Sequence, residues 1–391
     1  MRYFYILFLL ICLVGVSCSS SSSNNKFDSI YSFQKVDSLT IDLDEKTSFE
    51  FRNIHYFQND SLEWLVTLNE NINGLNIYDL NSSRLVSQFS VPRSGPHSVP
   101  SLNGFTIISP DSIFLYTKIS IRNIEVVNYL GDTVANIRVS NPLDVAEHGQ
   151  PILNHVSNNP GPTIFRDNKL YFSKWPLFDF SMAQNITKEY SLEAVVDLKS
   201  LRISEMNVNY PEWVQYKGWY TSYLLNGKTM NSRGDFIYTL QGDDSISVHF
   251  NNGEKKRFYA GLSKTGSEKT PITKRTQKNR EIEDVMSTTI YWGMLYDKYR
   301  DLYYRIADNA IPFTSEHRSI MSVLEKPLSI IVLNNEFSKV GEYDLPKNIY
   351  YFYGIFIGEN GLYIPRLNSK YAGFSEDLVT FSIYKPYKND N

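Results

Sequence analysis

The stretch Gly74–Val91 (Gly-Leu-Asn-Ile-Tyr-Asp-Leu-Asn-Ser-Ser-Arg-Leu-Val-Ser-Gln-Phe-Ser-Val) is a β-hairpin in outline. Leu75–Leu80 is rich in β-formers and Asn81-Ser82-Ser83 is a turn cluster. Leu85–Val91 then alternates apolar with polar residues, as a half-buried strand does. Degenerate copies follow. Ile124–Tyr129 turns at Leu130-Gly131-Asp132 into Thr133–Val139, and Leu192–Leu198 turns at Lys199-Ser200 into Leu201–Val208. Ser245–Phe250 turns at Asn251-Asn252-Gly253 into Lys255–Tyr259, and Ser329–Leu333 turns at Asn334-Asn335 into Phe337–Leu345. A sixth copy, Leu378–Tyr384, has the first strand and no second.

Aligned on the turn, Ile77, Val127, Val196, Val248, Ile331 and Ile383 are equivalent, at separations of 50, 69, 52, 83 and 52 residues. One four-stranded propeller blade takes ~40–50 residues. A lone hairpin cannot bury its apolar face, so repetition at this period predicts blades packed in a ring. The predicted fold is all-β: a six-bladed β-propeller of four-stranded blades, with the 83-residue interval read as long loops rather than a seventh blade. Phe33–Leu43 alternates at Val36, Leu39, Ile41 and Leu43 with no local partner, and the sixth repeat lacks just such a strand. Pairing the two closes the ring and removes two open edges.

One ring of six blades uses most of the 391 residues, with a single propeller placed at 33–387 and a tail at 388–391. The formal charge of −3 gives no electrostatic case for nucleic acid or an anionic membrane surface. Aromatics make up 14%, with 28 Tyr, which suits strands whose rings pack on a pleated surface. The two cysteines, Cys12 and Cys18, both lie at the N-terminus, so the body has no disulfide, zinc-thiolate site or cysteine nucleophile.

Residues 1–18 read as a secretory signal: Arg2, an apolar stretch from Tyr3 to Val16, then small residues before Cys18. Gly15-Val16-Ser17-Cys18 resembles the lipobox of bacterial lipoproteins, departing from it in Gly15 where Leu is commonest. That resemblance implies lipidation of Cys18, against the alternatives of a plain signal peptide or an uncleaved anchor. Residues 19–32 open with a serine run and read as a flexible tether. Lipoproteins exported to the surface in the Bacteroidetes carry acidic residues after the cysteine. Their absence here favours an outer-membrane anchor facing the periplasm, with the lipid as the membrane contact.

The blades fall at about Phe49–Val91, Gly104–Val139, Thr163–Val208, Gly227–Tyr259, Thr289–Leu345 and Tyr350–Tyr387. In such blades the first-to-second and third-to-fourth turns share one face of the disc. The second-to-third loops and the inter-blade links share the other. The first class is uniformly short; the second includes Pro92–Asn103, Ser140–Pro162, Lys174–Tyr190, Asn209–Asn226, Ala260–Ser287, Asp308–Pro327 and Arg366–Asp377. Long loops confined to one side predict a site there. They carry His97, His148, His155 and His317, with Arg93, Lys174, Trp175, Trp213, Trp219, Arg318 and Arg366. An aromatic mouth with a few cations suits a sugar, a peptide or a carboxylate; the alternative is that each residue caps the core or bonds loop backbone.

No nucleotide, dinucleotide, serine-hydrolase or zinc-protease motif occurs, so no cofactor is expected, and His148 and His155 have no recognisable metal spacing. Arg233-Gly234-Asp235 resembles an integrin tripeptide but stands where a blade turn is required. The charge-rich stretch 260–285 reads as a solvated, partly disordered loop, with docking of an acidic partner as the alternative. Asp-Ser/Thr before an aliphatic residue recurs at Asp60, Asp111, Asp132 and Asp244. It resembles an O-glycosylation acceptor of Bacteroidetes periplasmic proteins, and also reads simply as a turn leading into a strand.

Lipobox, tether, blade repeats and closing strand together resemble the six-bladed, TolB-like β-propeller lipoproteins of Bacteroidetes, classed as domains of unknown function. The resemblance implies fold and envelope location and supplies no catalytic residues. Two functions stand at this stage. One is a non-enzymatic binding or scaffold lipoprotein recognising a peptide, glycan or envelope protein on the long-loop face. The other is a metal-dependent hydrolase or lyase with its site at the central channel mouth.

Overall fold

The computed structural model describes residues 29–389, apart from 118–120, 122, 141–154, 265, 267, 273–277 and 318. The signal segment with Cys18, most of the tether, His148 and Arg318 lie outside the described residues. Strand β1 (Tyr31–Asp42) precedes blade one, β2–β5 (Ile54–Gln58, Glu63–Asn69, Gly74–Asp79, Arg84–Ser90). Blade two is β6–β9 (Leu102–Ser109, Ser112–Thr117, Asn123–Val127, Thr133–Arg138). Blade three is β10–β14 (His155–Val156, Ile164–Arg166, Lys169–Lys174, Glu193–Asp197, Arg202–Glu205), in which both β10 and β11 pair with β12. Blade four is β15–β18 (Asn226–Met230, Phe236–Leu240, Ser245–His249, Lys255–Tyr259). Blade five is β19–β22 (Ile290–Asp297, Leu302–Asp308, Leu328–Leu333, Lys339–Asp344). Blade six is β23–β25 (Phe356–Gly358, Gly361–Pro365, Leu378–Lys388) completed by β1. All six blades are antiparallel sheets, and the protein is a six-bladed β-propeller.

The six equivalent residues of the repeat all fall on third strands and all are buried, so the repeated hairpin is the outer half of every blade. Its degeneracy has a backbone cause. Each covalent third-to-fourth turn contains a left-handed residue, with φ of 57° at Ser83, 90° at Gly131, 56° at Leu201, 89° at Gly253 and 63° at Phe337. Glycine meets that demand at only two of the five. Elsewhere side chains secure the turn, as where Asp79 accepts from the Ser82 backbone at 2.9 Å. Arg233-Gly234-Asp235 is indeed a first turn of blade four, with Asp235 buried and bonded by Asn231, Arg233 and the Asn251 backbone.

β1 closes the ring as expected, running antiparallel to β25 from Tyr31 opposite Lys388 to Asp42 opposite Leu378. The register slips between Lys35 and Asp37, so Val36 is a bulge residue and is exposed. That explains its parity: Leu39 and Ile41 enter the core on one side of the bulge, while Phe33 stacks on Tyr343 and Tyr384 on the other.

The long loops interlock into a cap. The Trp219 backbone donates to Phe180 O at 2.8 Å, Ile272 to Gly218 O at 2.7 Å and Ile311 to Met286 O at 2.9 Å. The stretch expected to be a solvated loop contains a helix, α2 (Lys278–Ser287), after the short α1 (Thr221–Leu224). Ile282, Val285 and Met286 are buried at helical spacing while Arg280 is exposed, so dense charges hid an amphipathic face. Lys326, itself buried, donates to Val285 O (2.9 Å) and Thr288 O (2.8 Å) and pins the end of α2 to the blade-five loop. Among the described residues no helix is long and apolar enough to cross a membrane.

One loop does more than cap. Asn158–Gly161, between β10 and β11 of blade three, turns across the axis at the long-loop mouth. Asn159 Oδ1 accepts from the Ile54 backbone in blade one (2.8 Å), and its Nδ2 donates to Ile355 O beside blade six (3.2 Å). Pro160 O accepts from the Lys228 backbone in blade four at 2.8 Å. Gly227 has to be glycine: a Cβ there would stand 2.4 Å from Pro160 O. Gly293 of blade five faces the same proline, its missing Cβ 3.1 Å from the ring. One turn therefore ties four other blades together and fills the mouth.

Candidate functional site

The predicted site residues are scattered over the cap rather than gathered. Arg93 is exposed and donates to Pro100 O at 3.3 Å. His97, 52% exposed, places Nδ1 3.0 Å from the buried carboxylate of Glu125, which also holds Thr133 and Asn136. His155 is 2% exposed, packed edge-on against Tyr116 and Phe172, and bonded to Thr117 O; burial pulls its imidazole down to about 4. Lys174 is buried, paired with Glu205 and placed 4.8 Å over the Tyr190 ring. Trp175 has a buried indole N–H without a partner. His317 Nδ1 accepts from the Thr314 backbone at 2.9 Å, and Arg366 bonds Ser382 and Ser38. These contacts are ones that fix loops and strand ends.

Trp213, by contrast, lines a cleft of about 380 Å³ over blade four, together with Gly242, Asp243, Asp244, Arg257, Gly266, Glu268 and Lys269. Trp213 arrives from the link between blades three and four. Its ring meets Trp219 edge-on at 5.0 Å, and its Nε1 donates to Asp243 Oδ2 at 3.2 Å. Trp219 is buried and bonded to Val214 O at 3.0 Å, so the Trp213 face is held from behind.

The floor is the short loop between β16 and β17. Asp243 is buried and fully engaged: one Arg257 Nη2 lies 2.9 and 2.8 Å from its two oxygens, and the Ser245 backbone donates at 2.9 Å. Beneath it Arg305 is wholly buried, its guanidinium 3.9 Å above the Tyr291 ring, and donates to Asp243 O at 2.5 Å and Ala260 O at 3.1 Å. A buried guanidinium fixed to loop carbonyls makes the floor rigid before any ligand arrives. On the far side Lys269 Nζ stands 3.5 Å from Asp244 Oδ1 and 5.8 Å from the Tyr291 ring. Burial pulls its ammonium below the usual lysine range, with Asp244 acting against that. The carboxylates and cations thus alternate around the cleft, and each cation has an acid beside it.

Sequence reading missed Asp243, Asp244, Arg257, Lys269 and Arg305. It searched the long loops, whereas Asp243 and Asp244 sit on a short one and Arg257 and Arg305 on strands. Asp244 was visible only as a turn residue, and Lys269 only as one charge among many. Two adjacent acids, where the other turn-and-strand motifs have one, were the available signal.

Six four-stranded blades, a closing N-terminal strand and a cap on one face define the class of protein: a six-bladed β-propeller with its elaboration on a single side. The chain belongs to the DUF4221 family, a domain of unknown function, which matches residues 30–344. A DUF4221 member from Bacteroides vulgatus shares 20% identity and a TM-score of 0.78, over 92% of this chain and 99% of that one. A candidate exported protein from Bacteroides fragilis shares 11% identity and a TM-score of 0.51, over 91% of this chain and 96% of that one. Among curated proteins none matches the sequence.

Proposed function

We propose that the protein is a binding module of the cell envelope, anchored through a lipid on Cys18 and using the Trp213 cleft on its long-loop face. Its partners are drawn from envelope peptides, glycans and proteins. The observation that carries the reading is the distribution of space on that face. The axial mouth is filled by Asn158–Gly161, while the cleft over blade four is open, walled by a braced tryptophan and floored by a fixed loop. A pre-formed concavity with few polar groups in set positions is what a small-ligand site requires.

The anchor fits this orientation. β1 begins at Tyr31 on the short-turn face, so a lipid tethered ahead of it would hold that face toward the membrane and leave the cleft pointing away. The Bacteroides fragilis protein of similar fold, itself a candidate exported protein, supports an envelope location. A metal-dependent hydrolase or lyase at the channel mouth is the second reading. It requires room at the axis that the Asn158–Gly161 turn takes up.

The test uses tether-free protein titrated with separated peptide and glycan fractions of envelope extract, read by tryptophan fluorescence. Saturable change lost in Trp213→Phe supports the reading. Binding that survives Trp213→Phe and Asp244→Asn overturns it. So does a stoichiometric divalent ion whose chelation lowers the melting temperature and abolishes hydrolysis of an extract component.

A further inference from the structure

Resting on that reading, we infer that the cleft takes a neutral carbohydrate, one or two sugar rings stacked on Trp213 with hydroxyls bonded by Arg257 and shared between Asp244 and Lys269.

Charge is the first argument. The lining holds three acids (Asp243, Asp244, Glu268) and two bases (Arg257, Lys269), and both bases already face a carboxylate. A phosphate or carboxylate ligand would add negative charge to a lining in which acids already outnumber bases. An ammonium ligand would meet Arg257 and Lys269 across a narrow space. Neither sign of charge is served well, whereas a hydroxyl donates to a carboxylate and accepts from the adjacent cation at once.

Shape is the second. The cleft of about 380 Å³ is at the small end of the roughly 300–1,000 Å³ typical of small-ligand sites. A folded domain does not enter such a space. An aromatic face beside paired hydrogen-bonding groups matches the two surfaces of a pyranose: an apolar face of C–H groups and an equatorial rim of hydroxyls.

The third argument is preorganisation. Trp213 is clamped by Trp219 and by its own bond to Asp243, and Asp243 is held by Arg257, Ser245 and, through its carbonyl, Arg305. Little conformational entropy is left to lose on binding, which offsets the weak intrinsic affinity of hydroxyls that must leave water.

The experiment is isothermal titration of tether-free protein with a panel of neutral disaccharides (chitobiose, maltose, cellobiose, mannobiose, galactobiose), alongside glucuronic acid, inorganic phosphate and a lysine tripeptide. The expected result is saturable binding of at least one neutral disaccharide that changes less than twofold when salt is raised. Trp213→Ala should weaken it at least tenfold and Asp244→Asn severalfold, with unchanged circular dichroism; Asp244→Asn serves if Trp213→Ala does not fold. Salt-sensitive binding of phosphate, glucuronate or the tripeptide alone, lost in the same variants, overturns the carbohydrate inference and leaves the cleft a binding site. No panel member binding overturns the inference outright. Binding untouched by either substitution sinks the cleft and the function built on it.

Discussion

Lys228→Met is the substitution whose outcome the structure specifies most fully. Lys228 on β15 and Glu193 on β13 form an ion pair across blades four and three with both side chains wholly buried. The ammonium also donates to Tyr171 O at 2.7 Å, while Glu193 Oε2 has no partner among the described residues. Burial pushes the Glu193 carboxyl up and the Lys228 ammonium down, and each partner acts against the other's shift. Methionine fills similar volume but leaves Glu193 uncompensated, which costs roughly 3–5 kcal/mol. Without Lys228 the attraction that opposes burial is gone, and the Glu193 carboxyl rises further. A carboxyl raised above its unfolded value of about 4.3 stabilises fully below that value, and the contribution is lost as pH rises toward the folded value. The variant's deficit should therefore grow with pH, by up to ~1.4 kcal/mol per unit. Urea unfolding of both proteins at about pH 5 and about pH 8 measures it. Lys228→Met with Glu193→Leu should recover most of the loss, since a well-packed apolar pair often matches a buried ion pair. An equal deficit at both pH values, or one under about 1 kcal/mol, would refute the reasoning.

Asn159→Ala should cost about 2–4 kcal/mol, because the Ile54 N–H and Ile355 carbonyl lose their partner together; urea unfolding checks it, and a loss below half a kcal/mol would free the plug of that role. Gly227→Ala should be worse than Gly293→Ala, the first Cβ meeting Pro160 O at 2.4 Å and the second its Cα and ring at 3.1 Å; the order of the two melting temperatures decides. Burial holds His55 and His155 down to about 4, so stability present above about 6.5 should fall as pH drops toward 4, and His155→Gln should reduce that slope in acid titrations of the melting temperature.

The ring was legible because it is built from local patterns. Turn residues and period-two alternation mark third strands such as Ile77 and Val248, and every such mark fell on a third strand. Closure was legible from an unpaired strand at each end. The bulge at Val36 and the helix at 278–287 were not, since one is a single parity slip and the other an apolar stripe of three residues among charges. The plug was invisible for a different reason. Asn158-Asn159-Pro160-Gly161 reads as a turn whether it lies on the surface or across an axis, and only the tertiary fold decides which. The same holds for the candidate residues. His155 and Lys174 sit in stretches read as loops, yet both lie on strands with their own side chains buried, and residue type does not reveal burial. Trp213 lines the cleft because Trp219, six residues on, turns behind it.

The closing strand also determines how the ring carries load. β1 is joined to β25 without a covalent turn, by cross-strand hydrogen bonds from Tyr31 to Asp42 and by packing such as Phe33 on Tyr384. A pull along β1 would load those bonds in shear together rather than opening them one after another from an end. Sliding β1 by one residue would also swing Leu39 and Ile41 out of the core. A ring closed by a noncovalent strand is therefore weakest to peeling and strongest to a lengthwise pull on that strand.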